Sequence, residues 1–154
     1  MKRLAALAAV FAVFLLAGGV QDRRDVGQLE PIGLLQLTET AEGVTVQADT
    51  GAAGSGATVG QALSAMQART AAVIFLETAE TVLIPSGKTV WIGELAELLH
   101  PSCAVCIAET PVPTEEAAAY LRAHPIRPTL GDCMAGETAL PVLRYEKGAF
   151  RLVS

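Results

Sequence analysis

The sequence TVGQALSAMQARTAAVIFLETAETVLI, residues 58–84, decides the fold class. Thr58 can cap a helix, with Gln61 reaching back to it as in a capping box. The apolar face of that helix consists of Ala62, Leu63 and Met66. The apolar run at 72–76 then predicts a fully buried strand, and 81–84 predicts a further short strand. A helix between β-prone segments is typical of a crossover unit, so the sequence predicts an α/β fold.

Further β-prone runs lie on both sides of this unit. Residues 32–37 and the alternating residues 44–48 predict an antiparallel hairpin. Residues 49–56 are rich in Gly and Ala without periodicity, which predicts a flexible loop. Residues 140–145 and 149–153 predict a second hairpin at the C-terminal end.

Two more helices are predicted after the crossover unit. Helical spacing runs from Thr89 until Pro101 ends it, and a second helix capped by Thr114 continues until Pro125. Residues 126–136 have little periodicity, which predicts a loop. The fold class is therefore α/β (α+β): a small mixed β-sheet flanked by about three helices, after an N-terminal signal or anchor helix.

The first 19 residues have the pattern of an export signal. Lys2 and Arg3 precede an apolar run at 4–17, and the small residues 17–19 suit signal peptidase. The run is shorter than the ~20 residues that span a bilayer comfortably, so a signal peptide is favoured over a retained membrane anchor. Either way the sequence predicts a protein exported across a membrane.

Composition argues against nucleic acid as a partner. The chain has a net charge of −5, and its Lys and Arg residues form no stripe that could follow phosphates. Two Tyr, one Trp and four Phe leave few rings for stacking on bases. We therefore expect no nucleic-acid partner.

The sharpest chemical signal is the pair Cys103 and Cys106, with Cys133 further along the chain. On a strand, residues three apart point to opposite faces, so the pair should not face each other. A zinc site of His100 with the three cysteines and a redox pair are both open alternatives. A disulfide from Cys133 to one of the pair, or small buried side chains, are favoured over both.

No catalytic constellation is found elsewhere. His100 and His124 each precede a proline at a predicted helix end, where a cation complements the helix dipole. The serines lie in no nucleophile-elbow pattern, and paired glutamates such as Glu115 and Glu116 are typical of a solvated helix surface. We therefore assign no catalytic, cofactor-binding or metal-binding residue, and expect a protein that is not an enzyme.

The cluster Asp22-Arg23-Arg24-Asp25 precedes the first β-prone run, and residues 58–63 open the first helix after it. In this order the segments resemble the N-terminal domain of the spore germination receptor C subunits, the Ger(x)C family. The cluster is similar to that family's Cys-Trp-Asp-Arg-Arg-Glu sequence, and residues 58–63 resemble the opening of its first helix. Residues 72–84 and 111–125 stand where the family has further strand and helix segments. Two departures are Val20 at the position of the family's lipidated cysteine and Gln21 in place of its tryptophan.

The resemblance implies three regions: a signal peptide or anchor at 1–19, an α/β domain at 20–136, and a C-terminal β-hairpin at 137–154, alternatively the start of a truncated second domain. It implies a binding or assembly protein with a role in spore germination, at the outer face of the cell or spore inner membrane, or secreted. The implied partners are the integral-membrane germinant receptor subunits. An uncleaved leader would add membrane association.

Overall fold

The computed structural model describes residues 29–153, so the leader and the cluster at 22–25 lie outside the described residues. The strands are β1 (Leu29–Pro31), β2 (Leu34–Thr40), β3 (Gly43–Ala48), β4 (Ala53–Gly56), β5 (Val73–Phe75), β6 (Thr81–Pro85), β7 (Ala104–Ala108), β8 (Val142–Glu146) and β9 (Ala149–Val153). The helices are α1 (Val59–Arg69), α2 (Trp91–Leu98), α3 (Thr114–Ala123) and α4 (Leu130–Met134), with a 3₁₀ turn at Leu76–Thr78.

A seven-stranded mixed sheet in the order β4-β3-β2-β6-β7-β8-β9 forms the centre of the fold. Strands β2, β6, β7 and β8 are parallel to one another. At one side β3 pairs antiparallel with β2 and β4 pairs antiparallel with β3, and at the other side β9 pairs antiparallel with β8. Strands β1 and β5 pair separately in parallel. The predicted mixed sheet with flanking helices is confirmed, with four α-helices in the described range where about three were expected.

Helices cover both faces of the sheet. We call the side that packs on α1, α2 and α4 the front face, and the side that packs on α3 the back face. Along β2 the side chains alternate, so that Leu35 and Leu37 belong to the front cluster and Leu34 to the back cluster. In β6, Val82 and Leu83 divide in the same way. Burial on both faces explains why these strands are continuous apolar runs in the sequence.

Helix α1 begins as predicted, with one difference in its cap. Thr58 Oγ1 accepts a hydrogen bond from the Gln61 N–H at 3.3 Å. Gln61 Oε1 accepts from the N–H of Ala57 rather than from that of Thr58. The second bond is therefore displaced by one residue from a regular capping box.

The loop prediction for 49–56 is wrong over its second half, because β4 pairs there with β3. Gly54 is buried against α1, where a Cβ atom would overlap the backbone nitrogen of Met66 and the carbonyl oxygen of Ala62. Glycine lets the strand approach the helix backbone this closely. The small residues that suggested a loop are thus required by a tightly packed edge strand.

The fully buried strand predicted at 72–76 is also partly wrong. Only Val73–Phe75 is extended, and it pairs with β1 outside the main sheet. Ile74 is 2% exposed, but Phe75 is 39% exposed. The central strand of the crossover is β6, whose first four residues are all buried. Both segments are apolar, so composition could not distinguish the core strand from the peripheral one.

Two predictions between β7 and β8 need correction. Thr114 does not cap α3: Pro113 is at the N-cap without a side-chain hydrogen bond, and Thr114 Oγ1 donates to the carbonyl of Ala48. The predicted loop at 126–136 contains α4. Thr129 and Asp132 form a complete capping box at the start of this helix. Five residues are too few to show helical periodicity in the sequence.

The remaining elements are confirmed. Helix α2 lies in the segment predicted from Thr89, and β2 with β3 and β8 with β9 form the two predicted hairpins. The C-terminal hairpin joins the main sheet through the pairing of Val142 with Ile107. Within residues 29–153 no helix has both the length and the apolar character that a membrane crossing requires.

The contact of β4 with α1 predicts opposite effects for two glycine substitutions. Gly54→Ala should lower the free energy of unfolding by about 1–3 kcal/mol, because the new methyl group overlaps helix backbone that cannot move aside. Gly93→Ala is the matched control, since a Cβ there meets open space in α2 and should raise stability by about 0.5–1 kcal/mol. Urea unfolding of both variants measures the difference, and equal stability of Gly54→Ala and the parent chain would contradict it.

Candidate functional site

Cys103 and Cys106 lie on opposite faces of the sheet, as the sequence predicted. Cys103 immediately precedes β7 and belongs to the front cluster, whereas Cys106 in β7 belongs to the back cluster. Both residues are completely buried. The Cys106 S–H donates to the carbonyl of Pro141 at 3.2 Å. The two thiols are therefore separated by the sheet and act as small core side chains.

The surroundings of the thiols suppress their reactivity. Burial raises the pKa of Cys103 to about 12, and it raises the pKa of Cys106 to about 12 against a weaker opposing effect of backbone hydrogen bonds. The pKa of Cys133 is also raised, first by burial and then by the carboxylates of Asp132 and Glu137. Because the thiolate is the nucleophile and the metal ligand, these shifts oppose both redox and metal chemistry.

Of the two favoured alternatives, a disulfide from Cys133 or small buried side chains, the disulfide is not formed, since all three cysteines are free thiols. Cys106 lies on the back face, while Cys133 packs against the front cluster. The zinc alternative also lacks its geometry: among residues 29–153, no three or more His, Cys, Asp or Glu side chains are grouped so that they could hold a metal ion. His100 is exposed, with Nδ1 2.7 Å from the hydroxyl of Ser102.

Both histidines stand at helix ends. His124 is the C-cap of α3, and its Nδ1–H donates to the carbonyl of Tyr120 at 2.9 Å. Its ring stacks on the Tyr120 ring with centroids 4.3 Å apart. His100 follows α2 and Leu99, the C-cap of that helix. These positions are those expected for groups that complement a helix C-terminus.

A different candidate site lies at the carboxyl ends of β2, β6 and β7. A crevice of about 200 Å³ opens there. It is lined by Gln36, Leu37, Thr38, Glu39, Pro85, Ala108, Glu109, Thr110 and Pro111. After β6 the chain continues to α2 on the front face, and after β7 it continues to α3 on the back face. Such a switch between neighbouring parallel strands leaves a crevice in which α/β proteins bind ligands.

Gln36 holds the wall of this crevice in place. It is only 4% exposed, and its Oε1 accepts a hydrogen bond from the N–H of Val112 at 2.8 Å. This bond joins β2 to the segment that leaves β7, over 76 residues of sequence. The sequence signal for this contact is a polar residue within the apolar run Leu34–Leu37, since a buried amide requires a hydrogen-bond partner, and the contact was not predicted.

The charges around the crevice are paired. Lys88 forms a salt bridge with Glu39 and lies 5.8 Å from the centre of the Trp91 ring. Arg144 donates to Glu109 at 3.0 Å, and this contact raises the pKa of Arg144. The crevice thus offers amide and hydroxyl groups between two neutralised ion pairs. This arrangement suits binding of a polar group better than proton transfer, which needs a group with a strongly shifted pKa.

Comparison of the chain with models of known protein families, with curated proteins and with solved structures found no match.

Because Cys103 and Cys106 are buried, we expect alkylation of the native chain to distinguish them from Cys133. At pH 8 a thiol of pKa about 12 is ionised in roughly one molecule in ten thousand, so iodoacetamide should modify Cys133 and leave Cys103 and Cys106 intact. Peptide mass spectrometry of the native full-length chain measures the modification. The same treatment in urea is the control and should label all three cysteines. Labelling of either strand cysteine in the native chain as fast as Cys133 would refute the assignment.

The Gln36 contact predicts the effect of removing one polar group. Gln36→Leu should destabilise the chain by about 1–3 kcal/mol, because it leaves the buried N–H of Val112 without an acceptor. Gln47→Leu is the matched control: Gln47 is the cross-strand partner of Gln36 and is exposed, so we expect a change within about 0.5 kcal/mol. Urea unfolding measures both variants, and equal effects would show that the contact does not stabilise the fold.

Proposed function

We propose that this chain is an exported, non-enzymatic binding and assembly protein that resembles the C subunit of a spore germinant receptor. It acts at the outer face of the cell or spore inner membrane and contacts the integral-membrane receptor subunits. The observation that carries the proposal is the order of segments. The Asp22-Arg23-Arg24-Asp25 cluster is followed by a β-hairpin and then by a helix opened by Thr58, which is the order that the resemblance implies.

The positions of the reactive side chains support a non-enzymatic role. Cys103 and Cys106 are enclosed in the core on opposite faces, with pKa values raised to about 12. His100 and His124 each contact a neighbouring group at a helix end. None of these four residues lines the crevice at the carboxyl ends of the strands. The cysteines and histidines of the described residues are thus separate from this crevice.

The crevice gives the proposed role a contact surface. Thr38 and Thr110 line it, and the buried Gln36 fixes the segment that forms one wall. A polar loop of a receptor subunit could form hydrogen bonds there without displacing a charged group, because Glu39 and Glu109 are already paired. Specific binding sites are usually preformed clefts in which a few placed polar groups fix the orientation of the ligand.

The proposal predicts a germination defect. Spores of a host lacking the gene should lose optical density and release dipicolinic acid more slowly with at least one germinant, and the intact gene should restore the rate. Unchanged germination of the deletion strain with every germinant tested would contradict the proposed function.

Two substituted forms of the gene, each introduced into the deletion strain, extend this test to the crevice. Thr110→Trp fills the crevice and should fail to restore germination, whereas Thr138→Trp in an exposed segment far along the chain should restore it. Immunoblotting of spore membranes checks that both variants accumulate. Full restoration by Thr110→Trp would leave the general role intact but exclude the crevice as the contact surface.

A further inference from the structure

Among residues 29–153, strand β9 is the last strand of the main sheet and has a neighbour on one side only. The sheet has β4 at one side and β9 at the other. At β4 the edge is four residues long, and its glycines are held tightly against α1. At β9 the edge is five residues long and carries the partly buried side chains of Phe150, Leu152 and Val153. A strand paired on one side only, as β9 is within residues 29–153, is a template for a further strand.

The hairpin turn fixes which backbone groups of β9 face outward. Lys147 and Gly148 have φ of 51° and 79°, as in the two-residue turns of tight hairpins. The flanking pair, Glu146 and Ala149, therefore exchanges backbone hydrogen bonds, and the pattern alternates along the ladder. It follows that Phe150 and Leu152 direct their N–H and C=O groups away from β8, toward the open edge.

The hairpin also concentrates positive charge in an acidic chain. Arg144 and Arg151 are directly opposite each other in the register of β8 and β9, and like charges in this arrangement destabilise a sheet. Arg144 is compensated by Glu109. Salt bridges between residues 29 and 153 use Lys88, Arg122, Arg127 and Arg144, whereas Arg69, Lys147 and Arg151 take part in none of them. Two of these three cations belong to the hairpin.

The two faces of β9 differ in character. Arg151 lies on the front face, and a hollow of about 290 Å³ is lined by Arg144, Glu146, Ala149, Phe150 and Arg151. On the back face, Phe150 packs 4.7 Å from the Tyr145 ring and 5.3 Å from the Tyr120 ring, measured between centroids. A strand added beside β9 would thus meet Arg151, with Glu146 in the same hollow, on one face and a rigid aromatic surface on the other.

We propose that β9 binds an extended, acidic segment of a partner protein, which joins the sheet as an eighth strand with its carboxylates toward Arg151 and its alternate apolar residues toward Phe150 and Leu152. Strand addition of this kind takes its affinity from main-chain hydrogen bonds and its specificity from alternate side chains. A second copy of this chain is disfavoured as the occupant, because it would bring two cationic strands together. The inference deepens the proposed assembly role, and only the identity of the partner as a receptor subunit rests on that role.

The test uses a fluorescein-labelled hexapeptide, Glu-Val-Glu-Val-Glu-Val, and the full-length chain in a non-ionic detergent. Fluorescence anisotropy should show saturable binding that weakens with added salt. Control peptides separate the components of the interaction. Lys-Val-Lys-Val-Lys-Val should not bind, because its charge is wrong. Two N-methylated forms of the acidic peptide are made, one methylated at the glutamates and one at the valines. Only one form should lose affinity, because only one blocks the N–H groups that form the main-chain ladder with β9.

Variants of the chain locate the contact. Arg151→Glu should weaken binding by about tenfold or more, and Arg151→Lys should retain most of the affinity. Arg69→Glu makes the same change of net charge on α1, at a cation outside the salt bridges found among residues 29–153, and should leave binding unchanged. Thermal unfolding monitors whether each variant is folded, and the conservative lysine variant reports on the site even if the glutamate variant is unstable.

Three results would overturn the inference: equal binding of the acidic peptide with and without N-methyl groups, equal effects of Arg151→Glu and Arg69→Glu, or binding of the basic peptide. Light scattering tests whether a second copy of the chain binds at β9, and vesicle sedimentation tests whether an anionic membrane surface does. A dimer abolished by Arg151→Glu, or sedimentation with anionic vesicles that depends on Arg151 while the peptide does not bind, would replace the proposal. All these measurements are independent of germination, so failure here is distinguishable from failure of the proposed function.

Discussion

Burial of the parallel strands on both faces is the constraint on which the fold depends. Strands β2 and β6 can bury their alternating side chains only if helices cover the front and the back of the sheet. The front is covered by helices that precede and follow β6 in sequence, whereas α3 is the only helix on the back among residues 29–153. The chain leaves β7, passes across the sheet and is fixed by two buried bonds, from Val112 to Gln36 and from Thr114 to Ala48. These bonds satisfy polar groups that the crossing would otherwise leave buried without partners.

Local signals in the sequence were sufficient for elements that depend on local interactions. Thr58 and the apolar spacing after it define α1, and alternation defines both hairpins. Long-range contacts decided the remaining elements. Gly54 belongs to a strand because α1 lies against it, and Thr114 contacts Ala48 instead of capping its own helix. Neither residue carries a local signal for its partner, so the loop and the cap predicted there were wrong.

The candidate site was less predictable than the fold. The spacing of Cys103 and Cys106 correctly predicted that they lie on opposite faces, because strand residues three apart point in opposite directions. The crevice required knowledge of strand order, because Gln36 and Thr110 become neighbours only when β2, β6 and β7 align in parallel. Its single sequence signal was a glutamine inside an apolar strand. A buried amide needs a partner, so such a residue indicates a specific tertiary contact even before that contact is known.

The distribution of charge connects the crevice with the open edge of the sheet. Two ion pairs lie near the carboxyl ends of the strands, Glu39 with Lys88 and Glu109 with Arg144. Arg151 on β9 is opposite Arg144, lines a hollow with Glu146, and takes part in none of the salt bridges among residues 29–153. An acidic group beside β9 would give this arginine a partner. A strand added beside β9 would supply such a group, because one segment can bind Arg151 with a carboxylate and also form hydrogen bonds with the outward-facing backbone groups of β9.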